Sequence, residues 1–347
     1  MMRSLKFYMI SLMKDERGGV IAQALKTILL VLSWIYRLAV KIVDLSYVSG
    51  IRPSRKMNVP VVSVGNITLG GTGKTPFTMF LADYYRGLGR KPAILIRGYG
   101  DDEHRMLRDE LADVPVFPGQ DRIKNAEHAV REGNNILILD DGFQHRRIKR
   151  DLDILLLDSG SVFGNGFLFP RGILREPAKA VKRADILVIT KADRIDEDRR
   201  KEIFNKLNGL APGKVILTAR HKVQYVKDPT GSIYPAESLK GIRVCVVCGI
   251  ADPVYFEFIL NRQGADIVSR VTFGDHHSYT QKDIDNIAKR CFLEDVDKIV
   301  ITQKDYVKLK KLDLARIESK LIILSINMDI GEGKEQLIAG LNSIISG

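Results

Sequence analysis

Short apolar runs alternating with amphipathic stretches fill most of the chain. Residues 93–96, 136–139, 154–157, 186–189 and 215–217 read as buried strands, separated by helical patterns. Near-continuous apolar strands between helices predict an α/β fold, a mostly parallel sheet covered by helices on both faces. A polar interval over 221–241, containing Asp228-Pro-Thr-Gly231, interrupts the pattern and predicts a connector or small hairpin. The runs at 244–247, 299–302 and 321–324 resume it. A first domain over 51–220 and a second, smaller α/β domain over 242–347 are therefore expected. No internal repeat or low-complexity tract is present.

The N-terminal region, 1–50, follows a different rule. Between residues 20 and 45 almost every position is apolar, and the exceptions Gln23, Lys26, Ser33, Arg37, Lys41 and Asp44 recur at helical spacing. At about 100° per residue they share one stripe roughly 80° wide, which predicts an amphipathic helix with a cationic edge. The longest charge-free stretch, 27–36, is half of the roughly 20 residues needed to span a bilayer. No small-residue cleavage site follows, so a signal peptide is not expected. Two readings remain: a buried core helix, or a helix lying in a membrane interface with its Lys and Arg near headgroups. The cluster Arg52, Arg55 and Lys56 favours the interface.

Charge supports this. Of the net +12, residues 1–60 hold ten Lys/Arg against three Asp/Glu, or +7, an end suited to anionic surfaces. Three cysteines argue against a disulfide framework and for a reducing compartment. Cys245 and Cys248 form a CxxC inside an apolar run; residues three apart on a strand face opposite sides, so both read as core. A nucleic-acid binder is not expected, because no basic patch carries interleaved aromatics.

The chemistry begins at residue 65. An apolar run, Val61-Val-Ser-Val64, leads into Gly65-Asn-Ile-Thr-Leu-Gly-Gly-Thr-Gly-Lys-Thr75, and Pro76 opens a helical pattern. This is the setting of a phosphate-binding loop and makes the sheet P-loop NTPase-like. Gly70, Gly71, Thr72 and Gly73 let backbone N–H groups converge on phosphate, Lys74 reaches the outer phosphates, and Thr75 is placed to ligate Mg²⁺. Thr68 stands where the motif has its first glycine. About 65 residues on, Asn135-Ile-Leu-Ile-Leu-Asp-Asp141 is a strand ending in two carboxylates, as a Mg²⁺–nucleotide site needs opposite the loop. Gly142-Phe-Gln-His145 adds donors beside it. Two rival readings exist. Thr190-Lys-Ala-Asp193 is like the guanine-reading motif of a P-loop GTPase or metallochaperone, and the glycine loop is like that of deviant-Walker assembly ATPases, which require a lysine where Thr68 stands.

The order Asn66-Ile-Thr-Leu-Gly-Gly-Thr-Gly-Lys-Thr-Pro76, Arg97-Gly-Tyr-Gly100, Asp140-Asp-Gly-Phe-Gln-His145, Asp151-Leu-Asp153, Phe169-Pro-Arg-Gly-Ile-Leu-Arg-Glu-Pro177 and Asp275-His-His277 resembles the tetraacyldisaccharide 4′-kinases, lipid A 4′-kinases of Gram-negative bacteria. The resemblance runs from about residue 30 to at least 310. It implies ATP-dependent phosphorylation of the 4′-hydroxyl of a membrane-embedded tetraacylated glucosamine disaccharide 1-phosphate to lipid IV-A. The enzyme would be peripheral to the cytoplasmic face of the inner membrane. It further implies Thr75, Asp140, Asp141 and Glu103 on the metal side, and Asn66, Arg97, Tyr99, Arg122, Gln144 and His145 lining the phosphate and sugar site. The base implied is Asp102 assisted by His276. A carboxylate oriented by imidazole suits a hydroxyl too weakly acidic to ionise freely. Here Arg97-Gly-Tyr-Gly100 runs straight into Asp101-Asp-Glu-His104, with His104 where the family has Pro, so Asp101 competes with Asp102. His277 likewise competes with His276, and Gly274 replaces a common Pro.

Overall fold

A computed structural model describes the backbone of residues 2–98 and 101–345 and the side chains of residues 8–98 and 103–345. Two N-terminal helices, α1 (Met2–Met13) and α2 (Val20–Val48), precede the sheet. The first half then runs β1 (Val61–Asn66), α3 (Lys74–Gly87), β2 (Pro92–Ile96), α4 (Asp101–Glu110), β3 (Val116–Pro118), α5 (Arg122–Arg131), β4 (Ile136–Asp140), β5 (Leu152–Asp158), β6 (Ile186–Thr190) and α6 (Glu197–Leu210). The second runs β7 (Val215–Lys227), β8 (Ile233–Tyr234), β9 (Arg243–Cys248), α7 (Pro253–Arg262), β10 (Asp266–Thr272), α8 (Gln281–Leu293), β11 (Lys298–Thr302), α9 (Gln303–Leu309), β12 (Leu321–Ile330) and α10 (Lys334–Ser343).

The strands form one sheet in the order β10-β9-β11-β12-β7-β6-β5-β1-β4-β2-β3, with β8 hydrogen-bonded to β7. Pairing is parallel except at β12–β7 and β7–β8. Strand β7 therefore belongs to both halves. Its Val215–Thr218 segment pairs with β6, and Ala219 to Lys227 pair with β12. The interval over 221–241 accordingly begins inside a strand and closes as a small hairpin. The sequence boundary at 242 is also crossed: α10 returns to the first half, where Leu337 and Leu341 bury in the same core as Phe77 and Leu81 of α3, and Tyr84 Oη donates to Asn342 Oδ1 at 2.7 Å.

The apolar strands bury both faces. In β1, Val62 and Val64 enter the core with α3, whereas Val61 packs with Ala126 and Ala129 of α5. Cys245 and Cys248 enter two different cores on opposite faces of β9, as their spacing requires.

Helix α2 forms as its periodicity predicts, but Lys26, Ser33 and Asp44 of its polar stripe face the body of the protein, while Gln23, Arg37 and Lys41 stay exposed. Ser33 Oγ donates to the Leu168 carbonyl at 2.9 Å, Asp44 pairs with Arg146, and Lys26 pairs with Asp15 at 2.7 Å. Asp15, in the turn after α1, also holds Arg171 and Asn165. Burial acts to raise its pKa, yet these donors bring the carboxyl down to about 2. Ala22 and Leu29 pack on Leu12 of α1, but most of the apolar side points outward: Ile28, Leu32, Trp34, Ile35, Leu38, Ile42 and Leu45 are all at least 46% exposed. The buried-core reading of this helix is therefore wrong.

Gly142 shows how tightly the sheet holds the site. A Cβ there would lie 2.5 Å from Ser63 Oγ and 2.8 Å from Leu139 Cβ. Gly142→Ala is expected to lower stability by about 1–3 kcal/mol through overpacking, read as a lower urea midpoint with unchanged slope. Gly209→Ala, where a Cβ meets nothing within 4 Å, should be neutral or stabilising by about 0.5–1 kcal/mol. Equal effects of the two would refute the packing argument.

Candidate active site

The loop after β1 turns through Gly70 (φ +118°) and Gly73 (φ +82°), conformations that glycine adopts without strain, and delivers Lys74 as the first residue of α3. Its lead-in is tied down from outside. Leu69 N–H donates to the Ile173 carbonyl at 2.7 Å, and Arg175 N–H to the Ile67 carbonyl at 2.7 Å. The Thr68 departure thus sits in a short ladder with the Leu-Arg-Glu-Pro segment. Buried Asn66 locks the loop: its Nδ2 donates to Thr72 Oγ1 at 3.0 Å, and its Oδ1 accepts from Arg175 Nη1 at 3.1 Å.

Arg175, which the sequence reading left without a role although its block was recognised, ties the loop to the carboxylate pair. The same Nη1 donates to Asp141 Oδ1 at 2.8 Å, and Lys74 Nζ lies 3.8 Å from that oxygen. Asp141 adopts a left-handed φ of +50° at the end of β4, and its N–H donates to Asp140 Oδ1 at 2.9 Å. The two adjacent carboxyls differ sharply. Burial, then the Glu103 carboxylate, pushes Asp140 up to about 7 against the pull of Lys74. Burial also acts to raise Asp141, but Lys74 and Arg175 outweigh it and hold that carboxyl below its ordinary value.

Beyond this pair lies a cradle of unsatisfied donors and acceptors. Arg122, the buried first residue of α5, gives Nη1 to the Asp141 carbonyl at 3.1 Å and leaves Nη2 without a partner. Gln144 Nε2 donates to the Asn66 carbonyl (2.9 Å) and to Glu176 Oε1 (3.0 Å), while its Oε1 is unpaired. Burial, reinforced by Arg122 and Arg150, brings His145 down to about 4, so the imidazole is neutral, and its buried Nε2 is unpaired. Buried polar groups are normally satisfied, so three adjacent exceptions mark a place where a polar ligand belongs. Arg97, exposed just after β2, adds its charge to Arg122 and His145. Tyr99 and the side chains of Asp101 and Asp102 lie outside the described residues; the Asp102 backbone is in the first turn of α4.

The opposite wall comes from the second half. A cleft of about 350 Å³ brings Lys74 and Thr75 to the same space as Glu103, Asp275, His276 and Lys304. His276 has φ +60°, and its Nε2 is 3.7 Å from Asp275 Oδ2. His277 points elsewhere: it stacks on Phe273 at 4.3 Å and places Nε2 3.1 Å from Asp283 Oδ2. Of the two candidate histidines, His276 lines the cleft. Among the described residues no three His, Cys, Asp or Glu side chains are grouped to hold a metal by themselves, and no helix is long and apolar enough to cross a membrane.

The Thr-Lys-Ala-Asp sequence is used as a joint between the halves. Lys191, with 3% of its side chain exposed, pairs with Asp158 of β5 and, at 2.6 Å, with Asp252 ahead of α7. Asp193 accepts from Tyr255 Oη at 2.8 Å and Arg262 Nη1 at 2.7 Å, both on α7. The carboxylate that would read guanine is already engaged. Asp193→Asn is expected to lower the melting temperature while leaving the ATP-over-GTP rate ratio unchanged. A collapse of that ratio would restore the guanine-reading role.

The family model for tetraacyldisaccharide-1-P 4′-kinase matches residues 25–108 and 101–346. A tetraacyldisaccharide 4′-kinase from Halothermothrix orenii is 33% identical over 350 residues, covering 91% of each chain. One from Desulfatibacillum aliphaticivorans is 36% identical over 332 residues, covering 86% of this chain and 87% of that one. The crystal structure of an "apo" form LpxK from Aquifex aeolicus in complex with ATP superposes with a TM-score of 0.71 at 27% identity, covering 92% of this chain and 99% of that one. These matches run through both halves and include the loop, the carboxylate strand and the opposing wall. The chain therefore belongs to the tetraacyldisaccharide 4′-kinase family of phosphotransferases.

Proposed function

We propose that this chain transfers the γ-phosphoryl group of ATP to the 4′-hydroxyl of a tetraacylated glucosamine disaccharide 1-phosphate, giving lipid IV-A, while lying on the cytoplasmic face of the inner membrane. One observation carries the reading. The unsatisfied polar cradle lies close to α2, a helix whose other side exposes apolar residues: Tyr36 Oη donates to the Arg175 carbonyl at 2.9 Å and Asp44 pairs with Arg146, next to His145 in sequence. A polar headgroup on acyl chains has that same pairing of surfaces. A contiguous apolar face of this size on a folded chain marks an interaction surface, and its basic neighbours Arg52, Arg55 and Lys56 suit anionic headgroups.

In this reading Gly70, Gly71, Thr72 and Gly73 present N–H groups to the phosphates and Lys74 binds the β- and γ-oxygens. Asn66, Arg97, Tyr99, Arg122, Gln144 and His145 hold the sugar and its phosphate, with the free Nη2, Oε1 and Nε2 atoms supplying hydrogen bonds. Asp102 accepts the hydroxyl proton and His276 orients it. Thr75, Asp140, Asp141 and Glu103 would hold Mg²⁺. The donors fit: they are hard oxygens, and the burial and neighbouring Glu103 charge that raise Asp140 would be offset by a bound cation. When bound, Mg²⁺ neutralises charge on the β- and γ-phosphate oxygens. Two halves closing about the cleft would act as separate domains joined by β7.

Purified protein incubated with ATP, Mg²⁺ and detergent-dispersed tetraacyl disaccharide monophosphate should yield a bisphosphorylated product. Lys74→Ala should lower the rate by about 100-fold or more, as loss of one transition-state contact typically does. Absence of product with folded wild-type protein would remove the proposal.

The membrane arm is tested separately. Leu32, Ile35 and Leu38 are 46%, 63% and 59% exposed, so replacing all three with Ser should leave the fold intact. Binding to vesicles containing anionic lipid should fall sharply, whereas salt alone should release wild type only in part, because apolar burial is not screened. Unchanged vesicle binding by the triple variant would refute the membrane role of α2.

A further inference from the structure

Lys304 has no part in the reading so far, yet it sits where both walls of the cleft meet. It lies in the first turn of α9, directly after β11, with its side chain 17% exposed. Its Nζ is 3.2 Å from Glu103 Oε1 on α4, 3.5 Å from Asp275 Oδ1 and 3.4 Å from His276 Nε2. One ammonium thus spans the first half, through Glu103, and the second, through Asp275 and His276. The docking of α4 that brings them together is supported by two more cross-pairs, Lys310 with Asp109 and Lys227 with Glu110.

The charge requirement of the reaction gives this placement its meaning. A transferring phosphoryl group spreads negative charge over three equatorial oxygens, and its stabilisation depends on cations placed around them. The phosphate loop supplies Lys74 from one side. Among the described residues lining the cleft, the other lysines are Lys191 and Lys304. Lys191 is held by Asp158 and Asp252 in the joint between the halves. Lys304 lines the same cleft from the opposite wall, beside Glu103 and Asp275, whose side chains are 36% and 32% exposed.

We propose that Lys304 is a phosphate-binding residue, a cation carried on the second half that rests on Glu103, Asp275 and His276 and moves onto the γ-phosphoryl group when ATP enters. Closure of the halves then delivers positive charge to the group being transferred and frees the His276 imidazole in the same movement. The proposal rests on the phosphotransferase reading and not on the identity of the acceptor.

The test compares Lys304→Met, which keeps the length and removes the charge, with Lys304→Arg. Binding of ATP and ADP is measured by calorimetry, and turnover with the glycolipid in parallel. For Lys304→Met, ATP affinity should fall about tenfold or more with ADP affinity unchanged, because the lost contact is charge-assisted and lies on the γ-phosphate. The kcat should fall with an unchanged KM for glycolipid, and Lys304→Arg should recover most of the ATP preference. ATP and ADP affinities that fall together, or neither falling in a folded variant, would overturn the proposal. If Lys304→Met fails to fold, Lys304→Gln decides by the same reading: a fall in ATP affinity with ADP affinity unchanged supports the role, and both falling together or neither falling refutes it. A wild-type chain with a Lys304-dependent preference for ATP but no glycolipid product refutes the acceptor and leaves this proposal standing.

Discussion

Strand β7 imposes the constraint on which the cleft depends. Its first residues pair in parallel with β6 and the remainder antiparallel with β12, so a single backbone ladder joins both halves. The C-terminal ends of parallel strands are where α/β sheets build their sites. Here two such edges are turned toward one another, one carrying the phosphate loop and the Asp140–Asp141 pair, the other carrying His276 and Lys304. Leu337 and Leu341 of α10, buried beside α3, fasten this C-terminal helix to the first half.

Charge buried between those edges costs folding energy and is tolerated where it is paired. Lys191, Asp158 and Asp252 form a compact paired group, and Arg175 serves Asn66 and Asp141 at once. The cradle is different. Arg122 Nη2, Gln144 Oε1 and His145 Nε2 remain unpaired, and Asp140 is pushed toward neutrality beside an ionised Asp141. Such unmet requirements concentrate at sites that bind ligand, because only the ligand completes them.

The parallel strands were legible because both of their faces are buried, which writes them as continuous apolar runs. Legibility fails where that condition fails. From Arg220 on, β7 mixes buried and exposed positions after leaving the parallel block, so its polar residues read as a connector. Strand β10, with one side open, and the three-residue β3 gave no run to find. The periodicity of α2 located its polar stripe but could not say which side docks; Ser33 and Asp44 settle that by bonding to the body. The phosphate loop and both Asp positions were plain from spacing. Arg175 was not, since its partners Asn66 and Asp141 are far away in sequence. His276 and His277 were inseparable as neighbours until Phe273 took the second ring into the core.

The central claim is that phosphoryl donor and lipid acceptor meet between the two walls. A structure of the chain with a non-hydrolysable ATP analogue and the tetraacyl disaccharide monophosphate tests it most directly. The account predicts the γ-phosphate on the loop beside Lys74, the 4′-hydroxyl in line with it on the His276 side, and the acyl chains running along α2. A disaccharide bound away from the cleft, or acyl chains directed away from α2, would contradict it.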